Sequence, residues 1–345
     1  MNPPYEGKEL LVPSSYSRLV ARVLGLHERQ LPSLLRGTGL ALEILEAGDE
    51  STISSDQQMQ ILQNGIDLSG TDEFGLLVGR SLQPAAHGPM GYLVLSSPDV
   101  MSAINAFVEF LPLRFPFSQV EVTHDEDQLV CTLSLLVEPE QAVKRLLHEC
   151  FALMLQSVVA SVLGRELAEA TIEFAHREPN YSSTYNNYFS TSVFFGAPAS
   201  RFRLSNRIAR TANVSAHTDS YAKAHATCMA LLTQLPTRGL STSEQVRRIL
   251  LMSPPGTVSA DDTASALYVT KRTLQRRLDA ENTSYREITE TLLSELAAHH
   301  LLESSITVEA LANLLGYHDS AGLRKAFNRW FGTSPQEYRQ RYFGR

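Results

Sequence analysis

The sequence predicts two folds in series: an α+β domain over residues 1–235 and an all-α domain over 245–345 made of two helix-turn-helix units joined by a long helix. A linker at 236–244 separates them. Three observations carry this reading. Before residue 235 apolar residues recur with both the helical and the strand period, and after it with the helical period alone. The charge balance shifts at the same place, from 17 Lys+Arg against 25 Asp+Glu over residues 1–240 to 13 against 12 over 241–345. The C-terminal part also repeats itself at an offset of 49 to 50 residues.

In the first domain, residues 14–24 and 54–62 read as helices. Residues 98–111 carry Val100, Met101, Ile104, Phe107, Val108 and Leu111 as one stripe at helical spacing. On either side of a polar tip at 124–128, residues 120–123 and 129–137 alternate in strand fashion, which predicts a hairpin. Pro139 and Gly164 bracket one long helix, since proline suits a helix start and glycine its end. Residues 168–175, 192–195 and 201–204 read as further strands, and 216–234 as a closing helix.

Pro236 and Gly239 in a short polar stretch mark the linker. Beyond it the helix caps are legible one after another. Ser241 and Glu244 form a capping box, and Ser253-Pro-Pro-Gly256 ends the helix it opens. Ser259 with Asp262 starts a short helix reaching about Leu267, Thr270 caps a third, and Ser284 with Glu287 opens a long one to about Leu302. Thr307 and Asp319 start the fifth and sixth, and Ser334-Pro335-x-Glu337 gives N-cap, N1 proline and N3 acid for a seventh. Leu274 and Leu278 match Leu323 and Phe327, and Thr283-Ser284-x-x-Glu287 matches Thr333-Ser334-x-x-Glu337. Asn282 and Gly332, both tolerant of left-handed backbone, occupy the same place after their helices. Two helix-turn-helix units, 259–281 and 307–331, follow from this repeat.

The second helix of each unit has an apolar and a polar face. Leu274 and Leu278 point inward in the first, leaving Lys271, Arg272, Gln275 and Arg276 outside. Leu323, Ala326, Phe327 and Trp330 point inward in the second, leaving Ser320, Ala321, Arg324, Lys325 and Asn328 outside. Arginine forks onto guanine and glutamine onto adenine in a major groove, so these nine positions are candidate DNA contacts. One such helix by itself reads as a solvated face; two in register point to double-stranded DNA. A connector over 285–302, about 27 Å long at 1.5 Å per residue, can hold two reading helices near the roughly 34 Å between successive major grooves on one face of a duplex.

Residues 245–342 resemble the DNA-binding domain of AraC/XylS-type transcriptional regulators. Arg272-Thr-Leu-Gln-Arg-Arg-Leu278 resembles that family's first recognition helix, and Leu315-Gly-Tyr-His-Asp319 with Ala326-Phe-Asn-Arg-Trp330-Phe-Gly-Thr-Ser-Pro335 its second unit. The chain departs from the usual pattern at Ala321, Leu323, Arg324-Lys325 and Ser294-Glu295. Over about 14–235 it resembles the arabinose-binding-like regulatory domain of a subset of these regulators. That likeness rests on Gly91-Tyr-Leu-Val-Leu-Ser-Ser-Pro98, Phe110-Leu-Pro-Leu113 and Phe194-Phe-Gly-Ala-Pro198. The resemblance implies a transcriptional regulator that binds promoter DNA, with RNA polymerase as a further partner. The net charge of −8 over residues 1–240, the lack of catalytic motifs and the size of the N-terminal part lead to the expectation that it binds a small, largely apolar effector and pairs with a second copy of the chain.

Other chemistry finds little support. The sequence holds no P-loop, no G-x-G-x-x-G after a strand, no G-x-S-x-G and no H-E-x-x-H, so no catalytic residues, cofactor or metal are expected. His148-Glu149-Cys150 are consecutive and point different ways on a helix, and His299-His300 lie about 100° apart. Tyr181, Tyr185 and Tyr188 are candidate effector contacts, although aromatics at this density more often fill a core. The longest apolar run, 146–163, is interrupted by His148, Glu149, Gln156 and Ser157, which argues against a membrane span. No basic-then-apolar leader opens the chain, and Cys131, Cys150 and Cys228 are sparse, so reduced thiols in the cytoplasm are expected. The alternative is an enzyme or protein-interaction domain at the N-terminus, with the C-terminal part as a targeting module.

Overall fold

The computed structural model describes residues 10–124, 127–234, 241–251, 253–303 and 306–343. The chain packs as two units that divide between residues 235 and 236. The first is mixed α and β, the second helical, as the sequence predicts. Of the expected linker, residues 236–240 lie outside the described residues, while Thr242 to Glu244 already form the first turn of a helix.

The N-terminal unit opens with β1 (Leu11–Pro13), α1 (Ser15–Val23) and α2 (Leu31–Leu34). Next come β2 (Thr52–Ser54) and α3 (Ser55–Ser69), then α4 (Phe74–Ser81), α5 (Pro89–Ser96) and α6 (Val100–Phe110). Ser54 starts α3 through a capping box with Gln57. The antiparallel β1–β2 pairing, Val12 opposite Ile53, escaped the sequence reading, as did α4 and α5. Strands of three residues and helices of eight are too short to show a period.

The hairpin forms as expected from β3 (Ser118–His124) and β4 (Gln128–Leu135). After it come α7 (Gln141–Leu163), β5 (Ala170–Phe174), β6 (Ser192–Phe195), β7 (Ser200–Ser205), α8 (Asn206–Ala209) and α9 (Thr218–Gln234). The sheet order is β3-β4-β7-β5-β6, antiparallel throughout except for the parallel pair β5 and β6. Parallel neighbours need a crossover connection, and the tyrosine-rich stretch between Phe174 and Ser192 is that connection.

Helix α7 is the organising element, ending at left-handed Gly164. By length and composition alone α7 could cross a membrane, with an 18-residue window of mean hydropathy 1.7. Within the unit 67% of that window is buried, so its apolar surface is already covered by protein. Against it lies α4, and two glycines allow the backbones to meet. A Cβ on Gly75 would stand 3.0 Å from Leu146 Cα and one on Gly79 3.0 Å from Cys150 Cα.

The C-terminal unit contains α10 (Thr242–Leu251), α11 (Ala260–Ala266), α12 (Lys271–Ala280), α13 (Tyr285–Glu303), α14 (Val308–Leu314), α15 (Ser320–Phe331) and α16 (Pro335–Phe343). Ser259, Thr270, Thr307 and Asp319 each accept a backbone N–H at their helix N-terminus. Two small cores form. Val246, Ala264, Leu274, Leu278 and Ile288 make one; Ala297, Leu301, Leu311, Leu323 and Phe327, with their neighbours, make the other. Connector α13 contributes to both, and the Arg339 guanidinium donates to the carbonyls of Leu301 and Ile306 at its far end.

Candidate functional sites

In α12, burial of Leu274 and Leu278 fixes the rotation of the helix, so Lys271, Arg272, Gln275, Arg276 and Arg277 are exposed. In α15, Leu323, Ala326 and Phe327 do the same, leaving Ala321, Arg324, Lys325 and Asn328 exposed and Ser320 half-buried. The two sets sit in register: 271, 272, 275 and 276 fall on 320, 321, 324 and 325 at the offset of 49 that relates the buried leucines. The structure thus presents one face twice.

The cations on these faces are not equally available. Lys271 Nζ is 2.6 Å from Asp261 Oδ2 on α11, and Gln275 Nε2 donates to Asp279 Oδ1 at 3.3 Å. Neither Arg272, Arg276, Arg324 nor Lys325 pairs with a described residue. Arg329, on another side of α15, is 2.9 Å from Glu290 of α13, which also accepts from Arg286. The Arg286 hydrogen bond, opposed by slight burial and aided by the Arg329 charge, holds the Glu290 carboxyl below the usual carboxylate range. Sequence reasoning missed this pair, and with it the tie between connector and second reading helix.

In the N-terminal unit an apolar cavity of about 50 Å³ lies among β1, α1, α3, α4, β3, β4 and α7, with Tyr16, Leu62, Val78, Leu133, Phe151 and Met154 among its lining. Several polar groups on its wall are engaged with protein. The Tyr16 hydroxyl is 2.9 Å from His87 Nδ1, and Ser118 Oγ donates to the Phe115 carbonyl at 2.8 Å. Gln58 Oε1 accepts from Ser17 Oγ at 3.0 Å, and Cys150 Sγ is 3.5 Å from the Gly75 carbonyl. Burial, reinforced by the Arg114 charge, pushes His87 down to about 4, so its ring is neutral at pH 7.

None of Tyr181, Tyr185 and Tyr188 lines that cavity. Tyr181 and Tyr185 stack at 5.8 Å, and their hydroxyls donate to Glu149 Oε1 at 2.7 and 2.5 Å. Tyr185 is buried among Phe174, Phe189 and Phe195, while the Tyr188 ring carries the Arg80 guanidinium 5.1 Å from its centroid. Burial pushes the Glu149 carboxyl up to about 7, although both tyrosine hydroxyls and the Arg145 charge act to lower it. His148 turns instead to Ser200 Oγ, 2.9 Å from its Nδ1, so the consecutive trio does diverge. The three cysteines are free thiols and buried.

Residues 29–213 match the family model described as "Arabinose-binding domain of AraC transcription regulator, N-term", and residues 263–341 match a helix-turn-helix domain model. The chain belongs to the AraC family of transcription regulators. This AraC-family regulator thus couples an arabinose-binding-like N-terminal domain to a helix-turn-helix DNA-binding domain. It is 25% identical over 343 residues to the "Ornithine utilization regulator" of Pseudomonas aeruginosa, covering 99% of each chain. It is 26% identical over 328 residues to "HTH-type transcriptional regulator VqsM" of the same organism, covering 91% of this chain and 96% of that one. A solved structure of the transcriptional regulator CdpR from P. aeruginosa is similar at a TM-score of 0.44 and 21% identity, over 90% of this chain and 97% of that one.

Proposed function

We propose that this regulator reads promoter DNA with Arg272, Gln275 and Arg276 of α12 and Arg324, Lys325 and Asn328 of α15, with Lys271, Ser320 and Ala321 at the groove edge. The observation that carries the assignment is the repetition of one exposed face in register on two separately packed helices. Selection of duplexes from a random pool by the full chain tests it: two half-sites about one helical turn apart are expected. Substituting the α12 residues should change one half-site and the α15 residues the other.

The effector is a small, largely apolar molecule held in the cavity of the N-terminal unit. The cavity wall is almost wholly apolar, so a hydroxyl or ammonium group held there without a partner costs about 1–3 kcal/mol. The tyrosines support the α7 wall through Glu149, whose neighbour Cys150 lines the cavity. Mass spectrometry of small molecules retained from native extract identifies the ligand. Tight retention of a sugar or an amino acid would overturn the apolar assignment.

The regulator is a cytoplasmic homodimer held chiefly through residues 1–235, acts with RNA polymerase as a partner, and has no turnover of its own. Paired sites then bind with enhanced avidity. Sedimentation of the full chain and of residues 241–345 separates the cases. A full chain that stays monomeric at tens of micromolar, or a fragment that dimerises equally well, overturns the dimer assignment.

A further inference from the structure

The two helix-turn-helix units share one backbone device and fill it with different residues. One residue past the short helix cap of each unit, Leu267 and Leu315, the chain passes through left-handed backbone, at Tyr268 (φ +55°) and Gly316 (φ +76°). The surrounding hydrogen bonds correspond one to one. The N–H groups of Tyr268 and Gly316 donate to Ser265 O and Asn313 O, and those of Val269 and Tyr317 to Ala264 O and Ala312 O.

Glycine at 316 has a local cause, because a Cβ there would stand 2.5 Å from the Pro255 carbonyl oxygen. Position 268 carries the bulk that left-handed backbone disfavours. Its side chain returns nothing to the fold: Tyr268 is 97% exposed and makes no ring contact or side-chain hydrogen bond with a described residue. Backbone strain held without any packing gain is a mark of a residue that acts on something outside the chain.

Position in the unit indicates what that is. Tyr268 lies two residues before Thr270, the N-cap of α12, whose exposed first turn carries Lys271 and Arg272. A recognition helix enters the major groove by its N-terminal end, which brings the chain just before it to the phosphate edge of that groove. Tyrosine side chains are among the groups that donate to DNA phosphates. We infer that the Tyr268 hydroxyl donates to a backbone phosphate of duplex DNA beside the groove that α12 reads, as a positioning residue that fixes how that helix is seated. The inference rests on the assignment of α12 as a reading helix.

The test uses the full chain, a duplex recovered by selection with it, an unrelated duplex, and the variants Tyr268→Gly and Tyr268→Phe. Relief of left-handed strain should leave the Tm of Tyr268→Gly unchanged or raise it by a few degrees, so lost binding cannot come from unfolding. Its Kd should weaken about three- to tenfold on both duplexes, with the slope of log Kd against log salt unchanged, because a neutral donor releases no counterion. Tyr268→Phe should show most of the same loss. Wild-type affinity for both duplexes in Tyr268→Gly would overturn the inference, and so would a loss confined to the selected duplex. Unchanged DNA binding with lost activation in a reconstituted RNA polymerase assay would assign Tyr268 to a protein contact instead. Failure of the wild-type chain to recover any duplex would overturn the reading-helix assignment itself.

Discussion

The Glu281 carboxylate accepts the backbone N–H of Thr242 at 2.6 Å and that of Ser243 at 2.8 Å. Glu281 is the C-cap of α12, and Thr242 begins α10, the first helix after the segment joining the two units. The end of a reading helix is thereby fastened to the start of the C-terminal unit.

Glu281→Ala should remove an N-terminal cap and destabilise the C-terminal unit by about 1–2 kcal/mol. Burial raises the Glu281 carboxyl, but the hydrogen bonds from Ser243 and Thr242 outweigh it and hold it below the usual range. A depressed folded-state value means that this stability is present above the carboxylate's unfolded value and is lost as pH falls through the folded one. Denaturant midpoints of wild type and Glu281→Ala should therefore converge toward acid pH; a constant gap down to that range would refute the assignment.

Glu149 should behave in the opposite sense. Its folded value of about 7 lies above the ordinary 4.5. Below about pH 4.5 the carboxyl is protonated in both states; between there and about 7 the unfolded chain ionises first, and stability falls as pH rises. The loss is on the order of 3 kcal/mol. Glu149→Gln keeps an oxygen for the two tyrosine hydroxyls, so it should be more stable than wild type at pH 8 and flatter between pH 5 and 7. Unfolding midpoints at three pH values check this.

Arg276 is exposed, has no described partner and lies on the early turns of α12. Arg276→Ala should cost about 1–3 kcal/mol on the selected site and relax preference at one or two base pairs. Equal weakening on all sequences would make Arg276 a phosphate contact.

Residues 241–345 carry two hydrophobic cores of their own and both reading helices. Expressed alone, they should fold and bind DNA with an affinity that falls steeply between about 50 and about 200 mM salt, as phosphate neutralisation requires. A melting curve and a salt titration suffice. Salt-independent binding would count against the electrostatic footprint.

The helices of the C-terminal unit were legible because their determinants are local. A cap is a relation between residues two or three apart, as in Ser259 with Asp262 or Thr270 with Thr273. A reading face is set by which residues three and four apart are apolar. The left-handed turn at 268 left a trace only in the alignment of Tyr268 with Gly316, which an offset of 49 misses by one residue.

By itself the sequence determined the two fold classes, the doubled helix-turn-helix and the nine exposed or half-exposed positions on its reading faces. Tertiary structure alone decided the rest. The cavity draws its wall from seven elements between Val12 and Met154, Glu149 meets tyrosines more than thirty residues away, and the parallel β5–β6 pair makes a crossover of the tyrosine-rich segment. The physical reason is sequence distance. Hydrogen bonds within one helical turn are encoded by neighbours, whereas burial of Tyr185 or the closing of a cavity depends on which distant surfaces fold against each other.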